Sequence, residues 1–571
     1  MISKKDIIKL FKLTASLMEI HGENEFKTRV YSNASFNLEK YEGELNKLSR
    51  EELANIEGLG KSMVENITQI LETGTFEKLE ELRKVTPGGL LDIAGIKGLG
   101  AKKVRMLWKE LGIDTLEGLR KACEGNIISG LKGFGQKTQD NIIKEVNYIL
   151  ANKYKLLYEE AEIFADQIQE ILEEKLPDVL ISQAGELRRK LEIVDELTFV
   201  IGTDRIVEVY DKLSEIDSFE HTYTESGPFN WRGNLLENGA KVHFILCSKE
   251  QFYNKVLLHT GSEKHLALAT HEQSNLFSII SESPLKDEAT AYEKLSMQYV
   301  IPELREGWFE IEQARKNELP KLIEFEDLKG TLHNHSTYSD GKNTLREMAE
   351  KCIEMGYEYL GISDHSKSAF YANGLQEFHV KKQHEEIDQL NKELAPFKIF
   401  KGIESDILND GSLDYESDIL ESFDFIVASI HSNLNMDITK ATNRLLTAIQ
   451  NPYTTILGHS TGRLLLRREG YPIDHKTIID ACTENDVIIE INANPWRLDL
   501  DWRWVNYALE KGITLSINPD AHELEGLRDM YYGVQVGRKG GLTKEKTFNC
   551  LGVKEVEEYF KKRKEQKLNG K

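Results

Sequence analysis

The sequence predicts a multidomain chain that opens with an all-α region and closes with an α/β barrel of seven strands. Two patterns carry this. A glycine hairpin recurs three times within residues 1–150, each copy leading into an amphipathic helical stretch. From Leu328 onward, seven short apolar segments alternate with helical stretches, and six of the seven carry His, Glu or Asp at or beside their C-terminal end. With 571 residues and 40% hydrophobic content, the chain is long enough for three or four domains.

The hairpins read "IEGLGKSMVENI" from Ile56, "IKGLGAKKVRML" from Ile96 and "LKGFGQKTQDNI" from Leu131. Their paired glycines are Gly58 and Gly60, Gly98 and Gly100, and Gly133 and Gly135. Two glycines around one apolar residue allow a tight turn between helices, with the apolar residue as its anchor. The amides that open the second helix then face outward, where they can hold a phosphate without reading sequence. Lys61, Lys102, Lys103 and Lys137 follow the turns and add positive charge. A single Gly-x-Gly before a helix is often only a turn; three copies in register weigh more. The repeat resembles the helix-hairpin-helix motif, which implies DNA binding through the backbone.

The C-terminal strand candidates are "LKGTLHNH", "YEYLGISDH", "FKIFKGIES", "FDFIVASIH", "TTILGHS", "DVIIEINAN" and "TLSINPDAH". Alternation with helices argues for parallel strands and crossover connections. A closed barrel would gather the C-terminal ends of these strands at one face. Those ends carry His333, His335, His365, Glu404, His431, His459, Asp520 and His522, and Asp340 follows the first strand in its loop. One histidine after an apolar strand is usually a core or loop residue. This many together point to a metal centre. His with carboxylates suits Zn²⁺, Mn²⁺ or Fe²⁺, and nine candidates at about four per ion imply more than one ion.

The motifs "HNH…D", "SDH", "GIES", "SIHS", "GHS" and "PDAH" resemble the polymerase-and-histidinol-phosphatase (PHP) domain. The resemblance implies a distorted (β/α)7 barrel with three divalent ions, Mn or Zn, that hydrolyses phosphate esters. It assigns His333, His335, Glu404 and Asp520 to the first ion. Glu404 would bridge to the second with His431 and His459, and Asp340, His365 and His522 would hold the third. Asp364 is expected to orient an imidazole, while His379, His384 and His475 match none of the motifs and read as surface residues. Arg463 and Arg497 fall just past strand ends, where a guanidinium could grip phosphate bidentately.

Between these regions, "GENEFKTRVYSNASFNLE", the hairpins, "AGELRRKLEIVDELTFVIGTD", "HTGSEKH" and "YVIPELREGW" together resemble the bacterial family X DNA polymerases. The resemblance spans nearly the whole chain. It implies an N-terminal helical domain at 1–85, a fingers-like hairpin domain at 86–150, an α+β nucleotidyltransferase-like palm at 151–255, a thumb-like domain at 256–318 and the PHP domain at 328–571. In that family Gly-Ser, Arg-Arg, Asp-x-Asp and a third Asp build the polymerising site. Here Gly185, Arg188 and Arg189 are kept, Glu186 replaces the serine, and the carboxylate positions fall on Glu196, Thr198 and His243. A register one residue earlier would put Asp195 there instead. The family's lyase lysine falls on Asn66.

The net charge of −22 argues against a nonspecific electrostatic clamp on nucleic acid, though not against a local basic site. No apolar run approaches membrane-spanning length. The N-terminus is an amphipathic helix rather than a secretory signal, and the five cysteines form no C-x-x-C pair. These features predict a cytoplasmic monomer without a membrane partner. The leading expectation is a DNA-binding, metal-dependent 3′–5′ exonuclease acting on gapped or nicked duplex in repair, with an inactive palm. The alternatives are a working gap-filling polymerase and a non-catalytic DNA-binding scaffold.

Overall fold

The computed structural model describes residues 4–41, 45, 48–56, 58–96, 98–271 and 274–569. It forms two compact units, Met1–Lys153 and Tyr154–Lys571. The first is all-helical among its described residues. One hydrophobic cluster runs through it from Ile7 to Val146, crossing the boundary expected at residue 85. In the three hairpins the middle residues Leu59, Leu99 and Phe134 are buried in that cluster. The glycines before them take left-handed φ values of 78°, 90° and 86° at Gly58, Gly98 and Gly133. Helices Lys61–Thr73, Ala101–Leu111 and Gln136–Asn152 then start from Gly60, Gly100 and Gly135 with no side-chain cap. Their first amides are left for a ligand or water.

The second unit begins with a five-stranded mixed sheet. Its strands are β1 (Leu180–Gln183), β2 (Glu196–Gly202), β3 (Phe219–His221), β4 (Asn230–Leu235) and β5 (Lys241–Cys247). Their spatial order is β1-β2-β5-β4-β3, with only β2 and β5 parallel. A separate helical core follows, from Leu257 to Leu322.

The chain then builds β6 (Gly330–Thr331), β7 (Tyr359–Ile362), β8 (Lys398–Asp406), β9 (Phe425–Ser429), β10 (Ile456–Leu457), β11 (Ile488–Asn492) and β12 (Leu515–Asn518). All neighbours are parallel and in sequence order. Helices such as Leu345–Glu354, Ile438–Ile449 and Trp502–Glu510 cross between them. The first strand is shorter than "LKGTLHNH" suggested. Beyond Thr331 the ladder gives way to Leu332 N–H donating to the Asn518 side chain at 3.1 Å and His335 N–H donating to Ala521 O at 2.8 Å. These bonds bring β6 against β12 and nearly close the barrel.

At the N-terminal mouth, Phe400, Phe425, Ile456 and Ile488 pack with Phe548 and Phe560 from the end of the chain. Phe425 fits only because Gly361 and Gly402 lack side chains; a Cβ at either would lie 2.7 or 2.2 Å from its ring. This plug leaves the opposite mouth as the open one. Ion pairs and hydrogen bonds fasten the earlier parts of the unit to the barrel's flank. Glu306 accepts from Arg189 Nε at 2.9 Å and from Lys539 Nζ at 2.6 Å, and Trp502 Nε1 donates to Glu192 at 3.0 Å.

Candidate metal centre

The C-terminal mouth of the barrel gathers all nine predicted residues. Four sets have ligand atoms within 4.8 Å of one another: His335, Asp340, His365 and His522; His333, Glu404 and His459; His333, His335 and Asp520; His365, Glu404 and His431. His333 and His335 follow β6, two residues apart in extended chain, so both imidazoles face the same way. Their Nε2 atoms lie 3.5 and 3.0 Å from Asp520 Oδ1. Glu404, near the end of β8, is the junction. Its Oε1 stands 3.3 Å from His333 Nε2, 3.1 Å from His431 Nε2 and 2.9 Å from His459 Nε2. On the outer side Asp340 Oδ1 is 3.2 Å from His522 Nε2 and 3.6 Å from His365 Nε2. Asp520 itself holds φ at 54°, a strained backbone of the kind found at functional sites.

The donor set fits divalent cations. The buried atoms His333 Nε2, His335 Nδ1, His365 Nδ1, His459 Nδ1 and Glu404 Oε2 make no hydrogen bond. His365 Nδ1 lies only 2.9 Å from Glu404 Oε2. Two such groups, close but misaligned for a hydrogen bond, are disposed like ligands aimed at a common cation. Buried polar groups are rarely left unsatisfied without such a reason.

Electrostatics follows from the crowding. Burial opposes charge on His333 and His431, yet Glu490, Glu404 and Asp520 lift His333 well above the usual imidazole range, and Glu404 with Asp406 raises His431 to about 10. His522 rises to about 9 against its burial, chiefly through Asp340 and Asp520. His335 falls to about 3 because it is buried and faces His522 and His365. Glu404 and Asp520 are held well below the carboxyl range despite burial, by His431 and His333 foremost.

Two carboxylates that the sequence reading passed over orient this set. Glu490 comes from the middle of β11, the strand credited with no ligand. Fully buried, it accepts from His333 Nδ1 at 2.7 Å and from the His459 backbone N–H at 2.8 Å. Asp406 pairs with His431 Nδ1. Each leaves the opposite ring nitrogen turned to the cluster, as carboxylates behind metal-binding histidines do. A glutamate in the middle of a strand buried on both faces was the available signal.

Other expectations need correction. Asp364 touches no imidazole through a hydrogen bond. It accepts from Ser336 N–H and Oγ at 2.7 and 2.6 Å, from Ser339 Oγ at 2.5 Å and from Gln383 at 2.6 Å, fastening the loop that carries Asp340. Arg463 is not free to grip phosphate. Its guanidinium donates to Arg497 O at 2.7 Å, to Asp501 at 2.5 Å and to Leu498 O. Arg497 does face the cluster, with Nε 3.3 Å from Asp520 Oδ2. His379, His384 and His475 are half-buried rather than on the surface, and His475 stacks on Trp504 at 4.7 Å.

In the middle sheet, Glu196 and Thr198 on β2 pair in register with Lys241 and His243 on β5. Glu196 Oε2 lies 3.1 Å from His243 Nδ1, and its other oxygen pairs with Arg232 of β4. His243 Nε2 is 3.0 Å from Asn230 Oδ1. Asp195 is exposed, 3.7 Å from Lys241. Arg188 forms a two-pronged pair with Glu288 at 2.9 and 2.7 Å. Asn66 Nδ2 donates to Tyr31 Oη at 3.2 Å. At the hairpins, Lys61, Lys102 and Lys137 are exposed, and Lys103 Nζ reaches back to Gly98 O at 3.2 Å. A Cβ built on Gly60, Gly98, Gly100, Gly133 or Gly135 meets nothing within 4 Å, so these turns present bare backbone.

Residues 2–76 match the helix-hairpin-helix domain family, residues 90–147 the SAM-like helix-hairpin-helix tandem and residues 331–494 the PHP domain. The chain is 37% identical to a DNA polymerase/3′-5′ exonuclease PolX of Bacillus subtilis, over 98% of this chain and 99% of that protein. It is 28% identical to a probable phosphatase of a Thermoanaerobacter species, over 42% of this chain and 96% of the relative. A probable phosphatase of Clostridium acetobutylicum is 32% identical over 34% of this chain and 78% of its own length.

Proposed function

The chain belongs to the bacterial family X DNA polymerases that carry a C-terminal PHP domain, and from that membership we propose a DNA-binding, metal-dependent 3′–5′ exonuclease of DNA repair whose palm no longer polymerises. The observation that carries it is the set of nine imidazole and carboxylate side chains at the barrel mouth, which fall into four groups with ligand atoms within 4.8 Å of one another.

In this proposal His333, His335, Glu404 and Asp520 hold one ion, Glu404 with His431 and His459 a second, and Asp340, His365 and His522 a third, the ions being manganese or zinc. Bound there, such ions make water a nucleophile near neutrality and offset phosphate charge. Glu490 and Asp406 keep His333 and His431 turned inward. Arg497, at the rim, offers its remaining donors to the phosphate. Residues 1–85 and 86–150 grip duplex beside a gap or nick through Gly58, Gly60, Gly98, Gly100, Gly133 and Gly135 and the lysines Lys61, Lys102, Lys103 and Lys137. Residues 151–255 and 256–318 position the DNA, and 328–571 cuts it. We take the enzyme to be a monomer of the cytoplasm, consistent with five unpaired cysteines.

The test is an end-labelled gapped duplex with Mn²⁺, with and without nucleotides. Shortening of the primer is expected; nucleotide-dependent lengthening would favour a gap-filling polymerase. That second reading draws on the full-length similarity to a protein named as both polymerase and exonuclease. Against it stand Glu196, Thr198 and His243 at the carboxylate positions, and Arg188 and Arg189 already paired with Glu288 and Glu306.

A further inference from the structure

After β7 the chain leaves the barrel in a loop whose ends meet again. Ser366 bridges to Leu375, and Leu375 N–H donates to His365 O at 2.8 Å. The footing of the loop is buried, with Ala369, Ala372 and Leu375 all 0% exposed. Ser368 ties it down twice, through its N–H to Asp414 at 2.6 Å and its Oγ to Asp406 at 3.0 Å. Asp406 is the same carboxylate that orients His431.

From this footing two large rings stand in solvent. Phe370 is 83% exposed and Tyr371 is 68% exposed. The Tyr371 ring lies 6.0 Å from the ring of His365 and 6.5 Å from that of His431. A scattered exposed aromatic needs no explanation. Tyr371, on a loop pinned to a histidine of the cluster, stands beside the chemistry, with Phe370 next to it in the same turn.

We propose that Phe370 and Tyr371 form a stacking platform for the base of the nucleotide being removed. The proposal rests on the phosphoesterase reading above. Base and phosphate of one nucleotide are separated by a single sugar, so a phosphate at the cluster carries its base out over this loop. Aromatic rings accept any base because every base has a π-face, which suits an exonuclease that must pass through all sequences.

The test uses the full-length chain with Mn²⁺ and 5′-labelled single strands ending in either a normal or an abasic 3′ nucleotide. Replacing both rings (Phe370→Ala with Tyr371→Ala) should raise KM on the normal end roughly 10- to 100-fold and leave the abasic end unchanged. Tyr371→Phe alone should behave as the parent. Binding gives a second readout: a 3′-terminal 2-aminopurine should be quenched by the His333→Ala protein and not by that protein lacking both rings. Equal losses on both ends, or cleavage without quenching, would overturn the platform. Quenching without any cleavage by the parent chain would instead sink the phosphoesterase reading and leave the platform standing.

Discussion

The carboxylate of Glu196 lies 3.1 Å from Nδ1 of His243 while its second oxygen pairs with Arg232, so a guanidinium already sits against this carboxylate. His243 and Arg232 hold Glu196 below the usual carboxyl range although burial opposes this. Two-metal phosphoryl transfer needs several carboxylates free to face cations. One carboxylate already neutralised by an arginine cannot supply that. With the nuclease disabled by His333→Ala, no template-directed primer extension is expected in Mg²⁺, and little in Mn²⁺. Extension abolished by Glu196→Ala and His243→Ala would mean that this triad works as a polymerising site after all. Extension that survives both changes would place the ligands elsewhere.

His333→Ala or Asp520→Ala should lower Mn²⁺-dependent hydrolysis by on the order of 100-fold or more while DNA affinity stays within about twofold. Glu490→Gln probes the support behind His333. It keeps the shape and loses the charge, and metal affinity should fall roughly 10- to 100-fold by titration calorimetry. An unchanged affinity would remove Glu490 from the centre's support.

The hairpins should bind DNA through bare backbone. Gly98→Val and Gly100→Val together force a branched side chain onto a φ of 90° and into the open face of the turn. Affinity for gapped duplex should weaken by on the order of tenfold, with a shallower dependence on salt. Circular dichroism would establish that the helices persist. Unchanged binding by a folded variant would take this hairpin out of the interface.

Asp529 gives the barrel a pH dependence of known sign. Burial, with Glu159, Glu523 and Asp520 near it, raises its carboxyl to about 7. The folded chain therefore holds a proton that the unfolded chain has released. The stability this represents is present below the ordinary carboxyl range and is lost as pH rises through about 7. Asp529→Asn should raise Tm more at pH 8 than at pH 5.5, by about 2–4 °C. An equal gain at both pH values would show that charge at Asp529 is not the cause.

Much of the architecture was written in local patterns. Apolar runs of strand length, each followed by a helix, specify a parallel sheet because only crossover helices can return the chain to its start. In such a sheet every C-terminal end comes to one face, so eight residues from His333 to His522 could be placed together by position along their strands, with Asp340 in the loop after the first. The hairpins were equally legible, since a Gly-x-Gly turn and its amides lie within a few residues of one another. What sequence spacing could not reach was the partner of each buried charge. Glu490 meets His333 across 157 positions and Arg463 meets Asp501 across 38, in contacts that exist only once the barrel has closed. The aspartate beside His365 serves a loop rather than the ring next to it because the Ser336 and Ser339 donors fold back over it. Arg232 was invisible for the same reason: strand β4 lies next to β5 only in the folded sheet, where its guanidinium meets a glutamate two strands away. Element type and ligand position follow from short-range periodicity. The pairing of buried charges follows from which strands become neighbours, and that is decided by the tertiary fold.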